Sequence, residues 1–280
     1  MNPFRPKATR FCFLFIFYFS FFISVQAQSP YALKTGRELA IFGAGAATGI
    51  TALVLEKQVT PLTVAQINSL NRNDIPAFDR PATYRFSHTY DRLSDVTWAS
   101  GVAGLGLLTL GTKPMRQDWK TVGVMYIETV LLANGVQRSV KNIVQRTRPF
   151  AYNPDAPLAE KLDREARQSF PSGHATNAFA TAVFTSEVFR HYFPQSKWKP
   201  VVWVGSLGLA TTTAVLRYTG GQHYPTDLLA GATIGSLLGW GIPKLHEVKN
   251  RSDLGQRLDV QPWSNGQASG IYLQLAVFSR

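Results

Sequence analysis

The stretch at residues 171–176 reads Pro-Ser-Gly-His-Ala-Thr and combines residue types that suit the handling of a small anion. Ser172 fits a helix N-cap, because its side-chain oxygen can accept a bond from a free amide of the first turn. Gly173 lets the backbone approach a ligand, and the free amides and the helix dipole favour an anion there. His174 stands beside this position, which suggests phosphate chemistry. Taken alone, these residues also fit an ordinary capped helix with an incidental histidine.

Basic residues precede this stretch at a helical spacing. Lys141 and Arg148 are separated by two helical turns, so we expect both to project from one face of a helix. Pro149 should end that helix near Arg148, since proline cannot continue it. The two cations would then approach the anion site together.

A histidine and a carboxylate follow the stretch. Arg217 closes one apolar run, and His223 and Asp227 open the next. Their separation of four residues places His223 and Asp227 on one face if both are helical. A carboxylate on one imidazole nitrogen fixes the tautomer and leaves the other nitrogen free to attack.

In this order and spacing, the three stretches resemble the phosphatidic acid phosphatase type 2 / haloperoxidase superfamily, in its branch of bacterial envelope lipid phosphatases. The family pattern is Lys, six residues, Arg-Pro; then Pro-Ser-Gly-His; then Ser-Arg, five residues, His, three residues, Asp. The matching residues are Lys141, Arg148, Pro149, Pro171, Ser172, Gly173, His174, Arg217, His223 and Asp227. Leu216 replaces the family serine, which is expected only to help bind the anion. The change should therefore affect affinity more than chemistry.

The resemblance implies hydrolysis of lipid phosphate monoesters, or of isoprenyl and other lipid pyrophosphates. His223 would attack phosphorus and form a phosphohistidine, while Asp227 orients His223 and stabilises its positive charge. His174 would protonate the leaving oxygen and then activate water for the second step.

The remaining motif residues would bind the phosphate group. Lys141, Arg148 and Arg217 would neutralise its oxygens, and the Ser172 hydroxyl and the Gly173 amide would add hydrogen bonds. Three fixed cations make a metal unnecessary, and no cluster in the sequence has the spacing of a metal site. We therefore expect neither a metal nor another cofactor.

Two other functions fit parts of the sequence. One is a soluble periplasmic acid phosphatase of broad specificity, favoured by short apolar segments and a signal peptide. The other is a vanadate-dependent haloperoxidase or a non-catalytic relative that binds anions. The chain is small for a haloperoxidase, and the catalytic set is too complete for a relative that only binds.

Six apolar segments must position these motifs. They are rich in Gly, Ala and Thr, which allow close packing of helices as in membrane bundles, and no strand alternation lies between them. The segments are residues 39–55, 96–112, 121–136, 175–188, 201–216 and 228–242. We predict an all-α bundle of about six helices, embedded in or associated with a membrane, and the resemblance implies a site at one end. Glu128 lies inside the third segment, as a charge facing the bundle interior or as the sign of a segment that does not span.

The lengths of the segments argue against six simple crossings. Each has 14 to 17 residues, whereas a transmembrane helix needs about 20. We place the protein in the bacterial cell envelope, as a multi-pass or peripheral membrane protein whose site faces the periplasm, or else as a soluble periplasmic protein. Six crossings from an external Gln28 would carry the loop after the third helix to the cytoplasm. An outward-facing site therefore needs an early segment that does not cross, or a peripheral bundle.

The two ends of the chain differ from its middle. Residues 1–27 have a basic start, an apolar run and a small-x-small sequence before Gln28, which predicts a signal peptide, with an uncleaved anchor as the alternative. The single cysteine, Cys12, lies in that run. Residues 28–243 form the predicted helical domain, with its motifs at 141–227. Residues 244–280 form a charged tail with a turn at 262–266 and a short strand or extended segment at 271–278.

Composition limits the partners. Apolar residues make up 45% of the chain and charged residues 16%, so the chain can bury a core. The net charge of +12 suits an anionic partner. The basic residues are scattered and no nucleic-acid module is present, so lipid phosphates or an anionic membrane surface are the expected partners rather than nucleic acid.

Overall fold

Six long α-helices form the bundle in the computed structural model, which describes residues 29–248, 258–264 and 269–275. They are α1 (Thr35–Glu56), α3 (His88–Gly111), α5 (Trp119–Val144), α7 (Gly173–Tyr192), α8 (Lys199–Thr219) and α9 (Pro225–His246). Short helices in the connections are α2 (Val64–Asn68), α4 (Lys113–Gln117) and α6 (Leu158–Lys161), with 3-10 turns at Arg72–Asp74, Arg80–Tyr84, Pro149–Tyr152 and Arg164–Arg167. The predicted bundle of about six helices is confirmed, whereas the predicted signal peptide and Cys12 lie outside the described residues.

The long helices are longer than the apolar segments from which we predicted them. They contain 20 to 26 residues, because polar turns at their ends continue the helix. For example, α3 begins at His88, two turns before its apolar segment. For four of the described helices, which are long enough to span a membrane, the expectation from segment length was therefore wrong, and the expectation of fewer than six simple crossings is confirmed among the described helices.

Four of these helices, α1, α3, α8 and α9, are long and apolar enough to span a membrane. Large apolar side chains remain exposed along them; Leu39, Leu107 and Val204 are 69%, 75% and 73% exposed. Exposed apolar surface of this extent marks contact with lipid or another protein. Length, composition and exposure together identify a membrane protein.

Helix α7 forms the centre of the bundle, and α9 packs closely along it. The contact follows a line of glycines on α9: a Cβ atom on Gly235 would lie 2.1 Å from the Thr176 carbonyl oxygen, and one on Gly239 would lie 2.4 Å from that of Ala180. A larger residue at either position would push the helices apart. Small residues thus allow the close packing that the composition of the segments predicted.

The long helices alternate in direction, so three of them end and three begin at the same end of the bundle. Residues from the ends of α1, α5 and α8 and from the starts of α3 and α7 line one cleft there. We call this the cleft end, and the opposite one, where α1 begins and α9 finishes, the far end. At the far end Tyr31 forms a β-bridge with Glu247 and so ties the segment before α1 to the end of α9.

The C-terminal part contains a hairpin instead of a single extended tail. Strand β1 (Leu258–Ser264) pairs antiparallel with β2 (Ser269–Leu275). The predicted strand coincides with β2 at residues 271–275. The predicted turn was placed too early, because residues 262–264 pair with residues 269–271 and belong to β1.

Candidate active site

A cleft of about 350 Å³ opens at the cleft end and receives side chains from all three sequence motifs. Six of the eight predicted site residues line it: Lys141, Arg148, Gly173, His174, Arg217 and His223. The other two, Ser172 and Asp227, are fully buried behind its wall. Residues that are distant in sequence therefore meet where the resemblance predicted.

His223 presents one free nitrogen to this cleft. Its Nδ1 lies 2.8 Å from the Ser169 carbonyl oxygen, and because a carbonyl oxygen only accepts, Nδ1 carries the proton. Nε2 then bears the lone pair, and it has no hydrogen-bond partner in the described part of the chain. Burial, reinforced by the nearby positive charges of Arg148 and Lys141, lowers the pKa of His223 well below its ordinary value of 6.5. The ring is thus held neutral with its nucleophilic nitrogen toward the cleft.

Asp227 does not make the orienting bond that we expected. Its Oδ2 lies 3.7 Å from Nδ1 of His223, beyond hydrogen-bond distance. Helix α9 begins at Pro225, so His223 precedes the helix and does not lie one turn before Asp227 on its surface. Instead, Asp227 Oδ2 accepts from the Tyr224 amide at 2.9 Å and from the Ser169 hydroxyl at 2.5 Å. Ser169 therefore links the two, through its carbonyl to His223 and through its hydroxyl to Asp227.

An arginine that the sequence analysis missed holds Asp227 from its other side. Arg146 Nη1 donates to Asp227 Oδ1 at 2.6 Å, and Nη2 donates to Asp79 Oδ2 at 2.8 Å. Its guanidinium also lies over the Tyr224 ring, 4.0 Å from the centroid. Asp79 in turn accepts from the amide and the hydroxyl of Thr226. Both carboxylates are buried and fully bonded, so this network fixes the start of α9 behind the cleft.

The two upstream cations reach the cleft by different routes from the one we predicted. Helix α5 ends at Val144, followed by Gln145 in the left-handed conformation (φ 46°, ψ 43°). Arg148 is extended, as expected for the residue before a proline, and so does not share a helix face with Lys141. The buried Arg148 guanidinium donates to Gln222 Oε1 at 2.6 Å. Burial lowers its pKa from the ordinary value, but arginine remains charged in any case.

Two aspartates near the start of α3 contact two of the predicted site residues, Arg217 and His174. Asp91 pairs with Arg217, and Asp95 Oδ1 lies 2.7 Å from Nε2 of His174. Residues 88–95 precede the predicted apolar segment at 96–112, so these aspartates were not among the predicted site residues. A helical interpretation would have placed these aspartates, four residues apart, on one face.

The Pro-Ser-Gly-His stretch opens α7 as predicted. Ser172 is its N-cap, and the side-chain oxygen accepts from the Ala175 amide at 3.3 Å. The Ser172 amide donates to the Asp227 carbonyl oxygen at 3.0 Å, which joins the start of α7 to that of α9. Next to it, a Cβ atom on Gly173 would lie 3.1 Å from the Gln137 side chain. A larger residue would therefore require the Gln137 side chain to shift by a few tenths of an ångström.

Comparison with known proteins supports the family resemblance. Residues 122–251 match the model of the PAP2 superfamily, and the resemblance predicted from the three motifs is confirmed. Among curated proteins, the chain is 34% identical over 135 residues to a lipid A 4'-phosphatase from Bacteroides thetaiotaomicron, covering 44% of this chain and 54% of that protein. It is 32% identical over 114 residues to phosphatidylglycerophosphatase B from Bacillus subtilis, covering 39% and 52%.

A third relative is decaprenylphosphoryl-5-phosphoribose phosphatase from Mycobacterium tuberculosis, 29% identical over 139 residues, covering 49% of this chain and 66% of that protein. The chain thus spans between about half and two-thirds of the length of these relatives. A crystal structure of a transmembrane PAP2-type phosphatidylglycerolphosphate phosphatase from Bacillus subtilis aligns with a TM-score of 0.47 at 21% identity, covering 72% of this chain and 94% of that one.

Proposed function

We propose that this protein, whose residues 122–251 belong to the PAP2 superfamily, hydrolyses lipid phosphate monoesters or lipid pyrophosphates through a phosphohistidine at His223, without a metal ion. The observation that carries the proposal is the free Nε2 of a buried, neutral His223 facing a cleft lined with cations. A buried lone pair beside fixed positive charges suits an electrophile that carries negative charge.

In the first step, the Nε2 lone pair of His223 attacks phosphorus while the bond between phosphorus and the leaving oxygen breaks. Burial and the nearby Arg217 lower the pKa of His174 to about 4 in the protein without substrate, and the negative charge of a bound phosphate would raise it. In the complex, His174, held by Asp95, would then be protonated and give its proton to that oxygen. The imidazole of His223 becomes positively charged, and the Ser169 carbonyl and the nearby Asp227 carboxylate stabilise this charge. The lipid leaves as an alcohol or as a shorter phosphate.

In the second step, neutral His174 takes a proton from water, and the water oxygen attacks the phosphohistidine. The bond between Nε2 of His223 and phosphorus breaks, and inorganic phosphate leaves. Lys141, Arg148 and Arg217 neutralise the phosphate oxygens in both steps, with the amide of Gly173 as a further donor. Asp91 shares Arg217 with the substrate and keeps that side chain aimed at the cleft.

A lipid substrate fits the surroundings of the cleft. Trp98 lines the cleft and also an apolar groove of about 190 Å³ between α3, α7 and α8. Small residues such as Gly104 and Gly205 form part of its wall. A lipid whose phosphate group lies in the cleft could therefore place its hydrocarbon chain in the groove, within the membrane. The relatives are named as phosphatases of lipid A, of decaprenylphosphoryl-5-phosphoribose and of phosphatidylglycerophosphate. These names agree with a lipid substrate.

Phosphate release by the full-length protein in detergent, with EDTA present, tests the proposal. The substrates are phosphatidic acid, an isoprenyl pyrophosphate and a small soluble phosphomonoester. We expect release from the lipids, and its loss in His223→Ala by on the order of 10⁴-fold or more, as for other covalent nucleophiles. His88→Ala is the matched control, because His88 is an exposed histidine that contacts Glu160 away from the cleft lining.

Three results would contradict the proposal. Release that persists in His223→Ala would exclude that residue as the nucleophile. A clear preference for the soluble ester would instead identify a broad-specificity acid phosphatase. Peroxidase activity with bromide and added vanadate would point to the haloperoxidase function.

We further propose that the cleft faces the periplasm of a bacterial envelope. Connections at both ends carry basic residues, such as Lys113 and Arg116 at the far end and Arg80 and Arg164 at the cleft end, so the positive-inside rule does not decide between the two orientations. The proposal rests on the family resemblance, which implies an outward-facing site for members in the bacterial envelope. Since α1 ends at the cleft, where Glu56 is part of the lining, a spanning α1 places Thr35 and the cleft on opposite sides of the membrane. A periplasmic cleft then puts Thr35 in the cytoplasm, which is incompatible with a cleaved signal peptide that leaves Gln28 outside.

Labelling of intact cells with a membrane-impermeant maleimide separates these arrangements. In a Cys12→Ser background the chain has no other cysteine, so Asp155→Cys reports on the cleft end and Lys197→Cys on the far end. We expect labelling of the first variant only. Labelling of Lys197→Cys alone would place the cleft in the cytoplasm and restore the signal-peptide interpretation of residues 1–27.

A further inference from the structure

Three potential metal ligands converge near the far end, on helices that are separate in sequence. They are Glu38 in the first turn of α1, Glu128 within α5 and His246 at the end of α9, and their ligand atoms all lie within 4.8 Å of one another. Nε2 of His246 is 3.1 Å from an oxygen of each glutamate. Glu128 and His246 are fully buried. We call these three residues the carboxylate–histidine cluster.

The atoms that face one another in this cluster are all acceptors. Nδ1 of His246 lies 2.8 Å from the Ile242 carbonyl oxygen, to which it must donate, so Nε2 bears a lone pair in the neutral ring. That lone pair points at carboxylate oxygens, which are acceptors as well. Both oxygens of Glu128, Oε2 of Glu38 and Nε2 of His246 are buried without a hydrogen-bond partner among the described residues. Leaving several buried polar atoms unbonded is costly, so a ligand that engages them is expected.

The charge of the cluster indicates the sign of that ligand. Arg37 donates to Oε1 of Glu38 from Nη2 at 2.7 Å and from Nε at 3.0 Å. Two carboxylates against one guanidinium leave one negative charge uncompensated. A single proton, shared between Nε2 of His246 and the two carboxylates, would balance this charge and leave other carboxylate oxygens unbonded. A metal ion can bind Nε2 and both carboxylates at once.

The cluster is separate from the candidate active site. Glu128 precedes Lys141 by 13 residues on α5, which is roughly 20 Å along the helix axis. His246 and Asp227 lie at opposite ends of α9. An ion in the cluster could therefore not touch a phosphate in the cleft, and it would act by joining α1, α5 and α9.

We propose that Glu38, Glu128 and His246 form a structural site for a divalent transition-metal ion, with Zn²⁺ as the ion that fits best. One imidazole nitrogen and two carboxylates are ligands that Zn²⁺ accepts, at about 2.0–2.2 Å. Ligands of a tetrahedral ion lie about 3.3–3.6 Å apart at such bond lengths, close to the 3.1 Å that separates Nε2 from each glutamate. Nδ1–H of His246, bound to Ile242, fixes the ring for ligation as is usual for metal-bound histidines.

Metal content tests this site without reference to hydrolysis. The full-length protein is purified through an affinity tag free of histidine, supplied with a small excess of Zn²⁺, and freed of unbound metal by gel filtration. We expect about one zinc per chain in the wild type and a tenth of that or less in Glu128→Gln and His246→Gln. Glu187→Gln is the matched control, because Glu187 is also a buried glutamate near the far end but pairs with Arg190.

Thermal unfolding gives a second measurement, because an ion that binds only the folded state raises the unfolding midpoint. Exhaustive chelation should lower the midpoint of the wild type by several degrees, and Zn²⁺ should restore it. Chelation should leave Glu128→Gln unchanged. If Glu128→Gln does not fold, Glu38→Gln, whose carboxylate is nearer the surface, replaces it in both measurements.

The proposal fails if the wild type, after supply of Zn²⁺, retains a tenth of an equivalent or less and its midpoint responds to neither metal nor chelator. It also fails if the Glu128 and His246 variants keep as much zinc as the Glu187 control. X-ray absorption at the zinc edge should show a shell of nitrogen and oxygen with one imidazole, and a shell containing sulfur or several imidazoles would contradict it. None of these results depends on whether the protein is a phosphatase.

Discussion

The cleft and the carboxylate–histidine cluster carry opposite charges, but each contains a histidine whose Nε2 has no hydrogen-bond partner among the described residues. In the cleft, Lys141, Arg148 and Arg217 gather around the free nitrogen of His223. Near the far end, carboxylate oxygens gather around the free nitrogen of His246. Both histidines use Nδ1 to bond a backbone carbonyl, and in both Nε2 has no hydrogen-bond partner within the described part of the chain. The surrounding charge therefore distinguishes them: cations prepare His223 for an anionic substrate, and anions prepare His246 for a cation.

A third polar group shows what a complete network looks like. Arg146, Asp79, Asp227 and Ser169 satisfy one another's hydrogen bonds without a ligand. Such a network stabilises its surroundings and calls for no partner. The contrast suggests that buried atoms without partners, and not buried charges as such, mark the places where this protein binds something.

Among the substitutions that compare the cleft with the far end, replacement of His174 should reduce kcat most. His174→Gln removes the proposed acid and base, and such groups contribute typically 10²–10⁴-fold to a rate. We expect kcat to fall within that range, measured as phosphate release from phosphatidic acid. The same change at the far end, His246→Gln, should leave kcat within about threefold for protein that remains folded. Equal losses in the two variants would remove the distinction between the two regions.

Breaking the hydrogen-bonded network around Arg146 should lower the free energy of unfolding. Arg146→Met leaves the buried Asp227 and Asp79 without their shared cation, and breaking a buried pair of this kind costs about 3–5 kcal/mol. We expect a free energy of unfolding lower by about 3 kcal/mol, measured by denaturant titration in detergent. The side chain of Arg146 is 22% exposed, which places the effect at the lower end of the range. Arg116→Met is the control, since Arg116 is exposed and donates only to the Leu110 carbonyl.

Filling the apolar groove next to the cleft should lower the hydrolysis of lipid substrates and leave the hydrolysis of soluble esters unchanged. Gly104→Leu would place a side chain where a Cβ atom meets nothing within 4 Å, so the helix should tolerate it while the groove is filled. We expect kcat/KM for phosphatidic acid to fall about tenfold, which corresponds to about 1.4 kcal/mol, with little change for a soluble ester. Gly106→Leu also meets open space but lies outside the groove lining, and it should change neither. A parallel loss for both substrates would exclude the groove as a chain-binding site.

The smallest expected effect is a change in the pKa of His223. Its pKa is lowered by burial and by nearby cations including Lys141, so the neutral, nucleophilic form should persist as the pH falls below 6.5. A pKa lowered on folding also means that the folded state loses stability as the pH falls below the pKa of the unfolded chain. In Lys141→Met one neighbouring amine is absent, and the pKa of His223 should rise. Burial and the nearby Arg148 lower the pKa of Lys141 itself, so the rise should be small. Histidine-selective NMR without substrate measures the pKa of His223 in both proteins, and a His223 pKa at or above 6.5 in the wild type would contradict the electrostatic argument.

Sequence reasoning located the site because the motif residues lie next to signals of helix starts and stops. Ser172 marks where α7 begins, and His223 and Asp227 lie just before the apolar segment of α9, which brought His174 and His223 to one end of the bundle. The polar turns of α3 were missed, since hydrophobic periodicity does not register a polar helix end, and with them Asp91 and Asp95. Ser169 and Asp79 act through long-range contacts that no local pattern encodes. For the same reason the sequence showed Glu128 as a charge inside an apolar segment, but its neighbours Glu38 and His246 became apparent only in the fold.

The measurement that tests the central claim most directly is the trapping of the covalent intermediate. Protein mixed with ³²P-labelled phosphatidic acid is quenched in alkali within milliseconds, because phosphohistidine survives base and is lost in acid, and is then digested and mapped by mass spectrometry. The account predicts label on the peptide that contains His223, present in the wild type and absent from His223→Ala. Label on another residue, or turnover without any labelled protein at the shortest times, would contradict it.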